Sequence, residues 1–180
     1  MIFHRSNWHS SGELVLFFVV ALLLCTTAFV HATSSGRLEL GVIDSVDGEP
    51  AICLPRNVKE SMSVGWASLT QSYKKRPDFW SINLKKGGRP MILAPGECMV
   101  YGVVPEGYEL SSYKGDFKPL RLKLNRVYNF QLNDAYRPTD VYSASFCIAL
   151  SPDGTFQYLQ YGYLPGGGRV KPPCDSKRGE

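Results

Sequence analysis

The chain has 180 residues, a formal charge of +4, five cysteines, three histidines and ten tyrosines. All three histidines (His4, His9, His31) precede residue 33. The rest of the chain can therefore form no Ser-His-Asp or Cys-His nucleophile arrangement and no imidazole metal site. Basic residues are scattered. The short clusters Lys74-Lys-Arg76 and Lys85-Lys86 read as solvated loops, with no nucleic-acid partner implied.

The N-terminal stretch stands apart. Met1–Glu13 is polar and Leu14–Val30 is predominantly apolar, and Val30-His31-Ala32 puts small residues where a signal peptidase reads them. Residues 1–32 are expected to be a secretory signal peptide, with a retained N-terminal membrane anchor as the other reading. Any membrane contact would run through that segment. Lipidation at Cys25 is disfavoured because Leu22-Leu-Leu24 precedes it.

Residues 33–165 are expected to form one domain, followed by a polar tail at 166–180. Arg37–Ser45 alternates, with Leu38, Leu40 and Val42 on one face of a half-buried strand. Val46-Asp-Gly48 turns the chain. Pro50–Pro55 is a short strand bounded by prolines. Ser63–Gln71 is a strand carrying Trp66 as a core tryptophan. Phe79–Leu84 places Trp80, Ile82 and Leu84 on one face. Met91–Ala94 and Cys98–Val104 are strands around the Pro95-Gly96 turn, and Pro105-Glu-Gly107 turns the chain again.

Glu109–Leu120 is a long polar segment. In Arg121–Asp134, Tyr128, Phe130 and Leu132 alternate with polar neighbours. Val141–Leu150 puts Tyr142, Ala144, Phe146, Ile148 and Leu150 on one face and Ser143, Ser145 and Cys147 on the other. Ser151-Pro-Asp-Gly154 is a hairpin turn into the aromatic strand Thr155–Leu164. About eight short strands joined by Gly, Pro and Asp turns predict an all-β antiparallel sandwich. An immunoglobulin-like topology is compatible with that count. The spacing Cys53, Trp66, Cys147 imitates an immunoglobulin domain, but Ser145 stands where the tyrosine of that pattern belongs.

Past the signal, Cys53, Cys98, Cys147 and Cys174 remain. An even count in an exported chain implies two disulfides, with three pairings open. No Cys-x-x-Cys pair or histidine supports zinc instead. No phosphate loop, nucleophile elbow or dinucleotide fingerprint occurs. The acids Glu97, Glu106, Glu109 and Asp116 have no spacing that fixes a catalytic pair and read as loop acids. The chain is expected to be a non-enzyme with no cofactor and no metal. Tyrosine is the informative residue, because it offers large contact area at low entropic cost. The expected protein-binding surface is the loop around Tyr108, Tyr113 and Phe117 together with the hairpin bearing Tyr161 and Tyr163.

A set of short motifs also carries a resemblance. It comprises Ala51–Pro55, the Trp-bearing Val64–Leu69, Phe79-Trp80, Pro95–Gly102 (PGECMVYG), Pro105–Tyr108, Val127–Phe130, Ser145–Cys147 and Asp153-Gly154. Together they resemble small periplasmic proteins, often lipoproteins, assigned as immunity proteins of type VI secretion systems. The resemblance implies pairing of Cys53 with Cys98, and so of Cys147 with Cys174. It also implies a periplasmic protein that binds and neutralises a cognate effector toxin. A structural or adaptor sandwich of the cell envelope is the alternative function.

Overall fold

Two long alternating segments set the middle of the structure. Tyr128, Phe130 and Leu132 are buried along Val127–Asp134, and Ala144, Phe146 and Ile148 along Val141–Leu150. With a period of two, each set lies on one face of its strand. A computed structural model of the chain describes residues 36–75, 77–111, 120–163, 168–170 and 174. Among them it has thirteen strands and no α-helix. In chain order these are β1 (Leu38–Leu40), β2 (Val42–Val46), β3 (Glu49–Cys53), β4 (Met62–Gln71), β5 (Phe79–Leu84), β6 (Met91–Leu93) and β7 (Cys98–Val100). Then come β8 (Tyr108–Leu110), β9 (Val127–Asp134), β10 (Val141–Leu150), β11 (Phe156–Gln160), β12 (Gly162–Tyr163) and β13 (Arg169–Val170).

Eight strands form one sheet in the order β1-β10-β9-β4-β5-β8, with β11 beside the end of β10 and β6 beside the start of β4. All its pairings are antiparallel except β1 with β10. A second sheet has the order β2-β3-β7. The main core joins the two: Ile43, Ile52 and Met99 from the small sheet pack with Leu69, Ile82, Phe130 and Phe146 from the large one. Trp80 meets Tyr101 and Phe130 edge to face, at centroid distances of 5.4 and 6.0 Å. The protein is thus an all-β sandwich, as its strand pattern predicts.

The first strand differs from expectation. Arg37–Ser45 is not one strand but two, in different sheets. β1 pairs with β10 and β2 pairs with β3. Leu38, Leu40 and Val42 are exposed, whereas Gly41 and Ile43 are buried. The chain changes sheets at Gly41, where a Cβ would lie 2.8 Å from the Ile52 side chain. The Gln160 amide fixes this crossing by accepting from Ile43 N–H (2.8 Å) and donating to the Gly41 carbonyl (2.7 Å).

Trp66 is also not the core tryptophan; Trp80 is, at 4% exposed. The register of β4 against β9 slips between Val64 and Trp66. That bulge inverts the alternation, so Met62 and Val64 point inward before it and Ala67 and Leu69 after it. Gly65 permits it, because a Cβ there would lie 2.6 Å from Ala135 Cα. Residues 121–126 form a turn before β9 rather than the start of that strand, and Asn125 takes φ 57°.

Both disulfides pair as the resemblance implies, Cys53 with Cys98 and Cys147 with Cys174. Cys53 and Cys98 stand opposite each other on β3 and β7. This bond joins neighbours within one sheet, unlike the inter-sheet bond of an immunoglobulin domain. Cys147 lies on the far face of the large sheet. There, with Val127 and Tyr161, it forms a small second cluster against which Leu159 and Cys174 pack. The expected polar tail is therefore tied back at β13 and at Cys174. The disulfides place the fold in an oxidising, non-cytoplasmic setting. Among the described residues no helix is long and apolar enough to cross a membrane. The expected signal segment, residues 1–32, lies outside them.

The Cys53–Cys98 bond closes a sequence separation of 45 residues. In the chain-entropy picture a loop of that size contributes about 4 kcal/mol. The double variant Cys53→Ser/Cys98→Ser is expected to lose a stability increment of that order in equilibrium urea unfolding, against a typical domain total of about 5–15 kcal/mol. Non-reducing peptide mapping of the native protein should recover both pairs.

Candidate functional site

Of the residues expected to form a binding surface, Tyr108 and Tyr161 are buried. Tyr108 is 3% exposed and belongs to the core. Its hydroxyl donates to the Val64 carbonyl and accepts from Met91 N–H at 2.9 Å, joining β8 to β4 and β6. Burial raises its pKa, offset in part by the Met91 hydrogen bond. Tyr161 is 5% exposed and sits in the second cluster. Neither can serve as a surface anchor, because both rings are spent on packing. Tyr113 and Phe117 lie outside the described residues. Tyr163 is placed only as backbone in β12, antiparallel to β13.

Other tyrosines act the same way. Tyr158 packs edge to face on Phe146 at 5.8 Å and donates to the Gly48 carbonyl at 2.6 Å, bracing the β2–β3 turn. Burial, with Glu49 nearby, pushes its pKa up to about 12. Tyr101 donates to the Leu120 carbonyl, and burial raises its pKa as well. Tyr128 packs on Phe146 with the rings tilted by 30° at 5.7 Å, and accepts Lys123 N–H at 2.8 Å.

Four of the thirteen exposed large apolar side chains among the described residues, Tyr73, Leu124, Leu150 and Phe156, stand elsewhere. β4 and β10 end, and β5, β9 and β11 begin, at one end of the large sheet, which brings three connections together: 72–78, 120–126 and 151–155. Backbone bonds hold them. Ser72 N–H reaches the Val127 carbonyl and Asn125 N–H the Ile148 carbonyl, each at 2.8 Å. In the hairpin turn, Ser151 N–H meets the Thr155 carbonyl at 2.8 Å, and Gly154 takes φ 87°. Tyr73 takes φ 60° and is 71% exposed. Phe156, 50% exposed, stands directly opposite Leu150, 54% exposed, and Leu124 is 40% exposed. Sequence reading missed these residues because Tyr73 falls beside a basic cluster read as a solvated loop, and Leu124, Leu150 and Phe156 fall in segments read as strands. The signal was there in the placement of Tyr73 and Phe156 beside turns.

Charge at this end is uneven. Lys74 pairs with Asp78 at 2.7 Å. Asp153 accepts from Thr155 Oγ1 (2.7 Å) and N–H (3.0 Å), which holds its carboxyl below the usual range. Lys75, Arg121 and Lys123 are exposed and have no ion-pair partner among the described residues. Exposed apolar side chains in the same three connections as Lys75, Arg121 and Lys123 can receive a protein surface with apolar and acidic groups.

The opposite end is built differently. Asp134 is 6% exposed and accepts N–H bonds from Tyr136 and Arg137 (both 2.9 Å) and Ser63 (3.3 Å). Arg137 bridges to Asp140 at 3.2 Å. These groups close the β9–β10 turn around a cleft of about 20 Å³, the space of one water. Among the described residues no group of three or more His, Cys, Asp or Glu side chains is placed to hold a metal ion. No family model, curated protein or solved structure matches this chain.

Two outcomes follow for the tyrosines. Tyr108→Phe leaves the Val64 carbonyl and Met91 N–H without their buried partner and should cost about 1–3 kcal/mol in thermal or urea unfolding. An unchanged midpoint would contradict the placement. Tyr101, Tyr108, Tyr128, Tyr142 and Tyr158 all have pKa values raised from 10.0, chiefly by burial. A raised acid pKa means the fold favours the protonated phenol. Their contribution is complete below pH 10.0 and should be lost as pH climbs through the raised values, for Tyr158 about 12. Urea midpoints measured across that interval should fall, and should fall less steeply in Tyr158→Phe.

Proposed function

We propose that this chain is an exported periplasmic binding protein that neutralises a cognate effector toxin by covering it. The observation that carries the reading is the basic loop end. It presents Tyr73, Leu124, Leu150 and Phe156 together with Lys75, Arg121 and Lys123, which have no ion-pair partner among the described residues. The resemblance of the Ala51–Pro55, Pro95–Gly102 and Ser145–Cys147 motifs to type VI immunity proteins supports the same class of partner. Two disulfides suit a domain that must hold its shape outside the cytoplasm. Binding of this type works through rigid aromatic anchors, while the charged rim speeds encounter with an acidic partner.

The test is a titration of the purified domain against each effector encoded beside its gene. One of them should bind with micromolar or better affinity. Truncation of a central aromatic anchor typically costs about 2 kcal/mol or more, roughly thirty-fold in affinity. Tyr73→Ala and Phe156→Ala should fall in that range. Lys123→Glu should mainly slow association and flatten its salt dependence. Absence of binding to every neighbouring effector would overturn the proposal.

A further inference from the structure

The far face of the large sheet carries a different chemistry from the loop end. Its register defines three rows. The first runs Val141, Asn133, Trp66, Asn83, the second Ser143, Gln131, Ser68, Ser81, and the third Ser145, Asn129, Thr70, Phe79. Across these four adjacent strands no position in the rows is charged; on the next strand, β8, Glu109 continues the first row. A sheet face that meets only water has no reason to exclude Lys and Glu. One that is apolar would be covered by a further layer. This face is neither: it is amide and hydroxyl, with a single indole set among the amides.

The polar groups are organised. Asn129 donates towards both Ser143 and Ser145 Oγ at 3.2 Å. Trp66 Nε1–H donates to Ser81 Oγ at 2.6 Å, which fixes the indole on the face. Trp66 is partly exposed and lies between Asn133 and Asn83. Asn133 Oδ1 is buried without a hydrogen-bond partner, an unmet acceptor beside the indole. The amide of Gln131 makes no side-chain hydrogen bond among the described residues. It lies diagonally across from Trp66, a separation of about 7–8 Å.

We infer that this face is a binding site for a neutral oligosaccharide, seated on the Trp66 ring and hydrogen-bonded by the Gln131 amide. Sugar rings present apolar C–H faces and a dense fringe of hydroxyls that both donate and accept. An indole offers the apolar surface, and an amide offers both a donor and an acceptor without charge. Anionic ligands find no cation here, and an apolar ligand would strand the amides. The diagonal between Trp66 and Gln131 suits a ligand longer than one sugar. The site is separate from the loop end and does not depend on the effector reading.

The test uses the full mature domain with chitohexaose, cellohexaose and maltohexaose as probes, followed by amide NMR and tryptophan fluorescence. At least one probe should give saturable shifts at the Gln131 side-chain amide and the Trp66 indole N–H. Binding should be insensitive to salt, unlike an interaction at the basic end. Trp66→Ala and Gln131→Ala should each weaken it at least ten-fold. Gln131→Ala removes no internal hydrogen bond, so it tests the site even if Trp66→Ala fails to fold. The inference is overturned if none of the three sugars shifts these signals at saturating concentration. It is equally overturned if binding survives Gln131→Ala unchanged, or if the face proves to pair with a second copy of the chain in sedimentation.

Discussion

The inner face of the large sheet must be covered, and its cover is a sheet of three short strands. Tyr128, Phe130, Phe146 and Ile82 are almost wholly buried on that face, and side chains of this kind contribute about 1.5–3 kcal/mol each when removed from water. That gain exists only while β2, β3 and β7 stay in place. Three devices keep them there. Cys53–Cys98 ties β3 to β7, the Gln160 amide grips the crossing from β1 to β2, and Tyr158 braces the β2–β3 turn from β11. The cover is thus held by covalent and hydrogen bonds as well as by the packing of Ile43, Ile52 and Met99 in the core.

This arrangement divides the surface by chemistry. Aromatic residues in the strands are consumed by the interior, so Tyr101, Tyr108, Tyr128 and Tyr158 hold elements together. What remains for recognition is what the strand ends and the half-buried outer face present. At one end the connections leave four apolar side chains and unpaired lysine and arginine exposed. The far face offers amides, hydroxyls and one indole. The two surfaces differ in charge, and so in the ligands they can receive.

Much of the scaffold could be read from residue order. The two-residue period in Val127–Asp134 and Val141–Leu150 placed the inner and outer faces correctly, and Ser151-Pro-Asp-Gly154 and Pro95-Gly96 turn the chain as their residue types require. What could not be read shares one physical cause: a break in the period. The bulge at Gly65 turns Trp66 outward, and the sheet change at Gly41 inverts the faces of Leu38, Leu40 and Val42. Each break depends on a close approach by a distant residue, Ala135 in one case and Ile52 in the other. The burial of Tyr108 escaped the sequence for a related reason. A tyrosine after a turn looks exposed, but Tyr108 finds two backbone partners that lie 44 and 17 residues away in sequence.

The central claim is that recognition uses the basic loop end of the sandwich. Hydrogen–deuterium exchange of the domain with and without its bound effector tests it most directly. The account predicts new protection concentrated in peptides covering 72–78, 120–126 and 150–156. Protection that spares those peptides and appears around the Asp134–Arg137 end instead would contradict it.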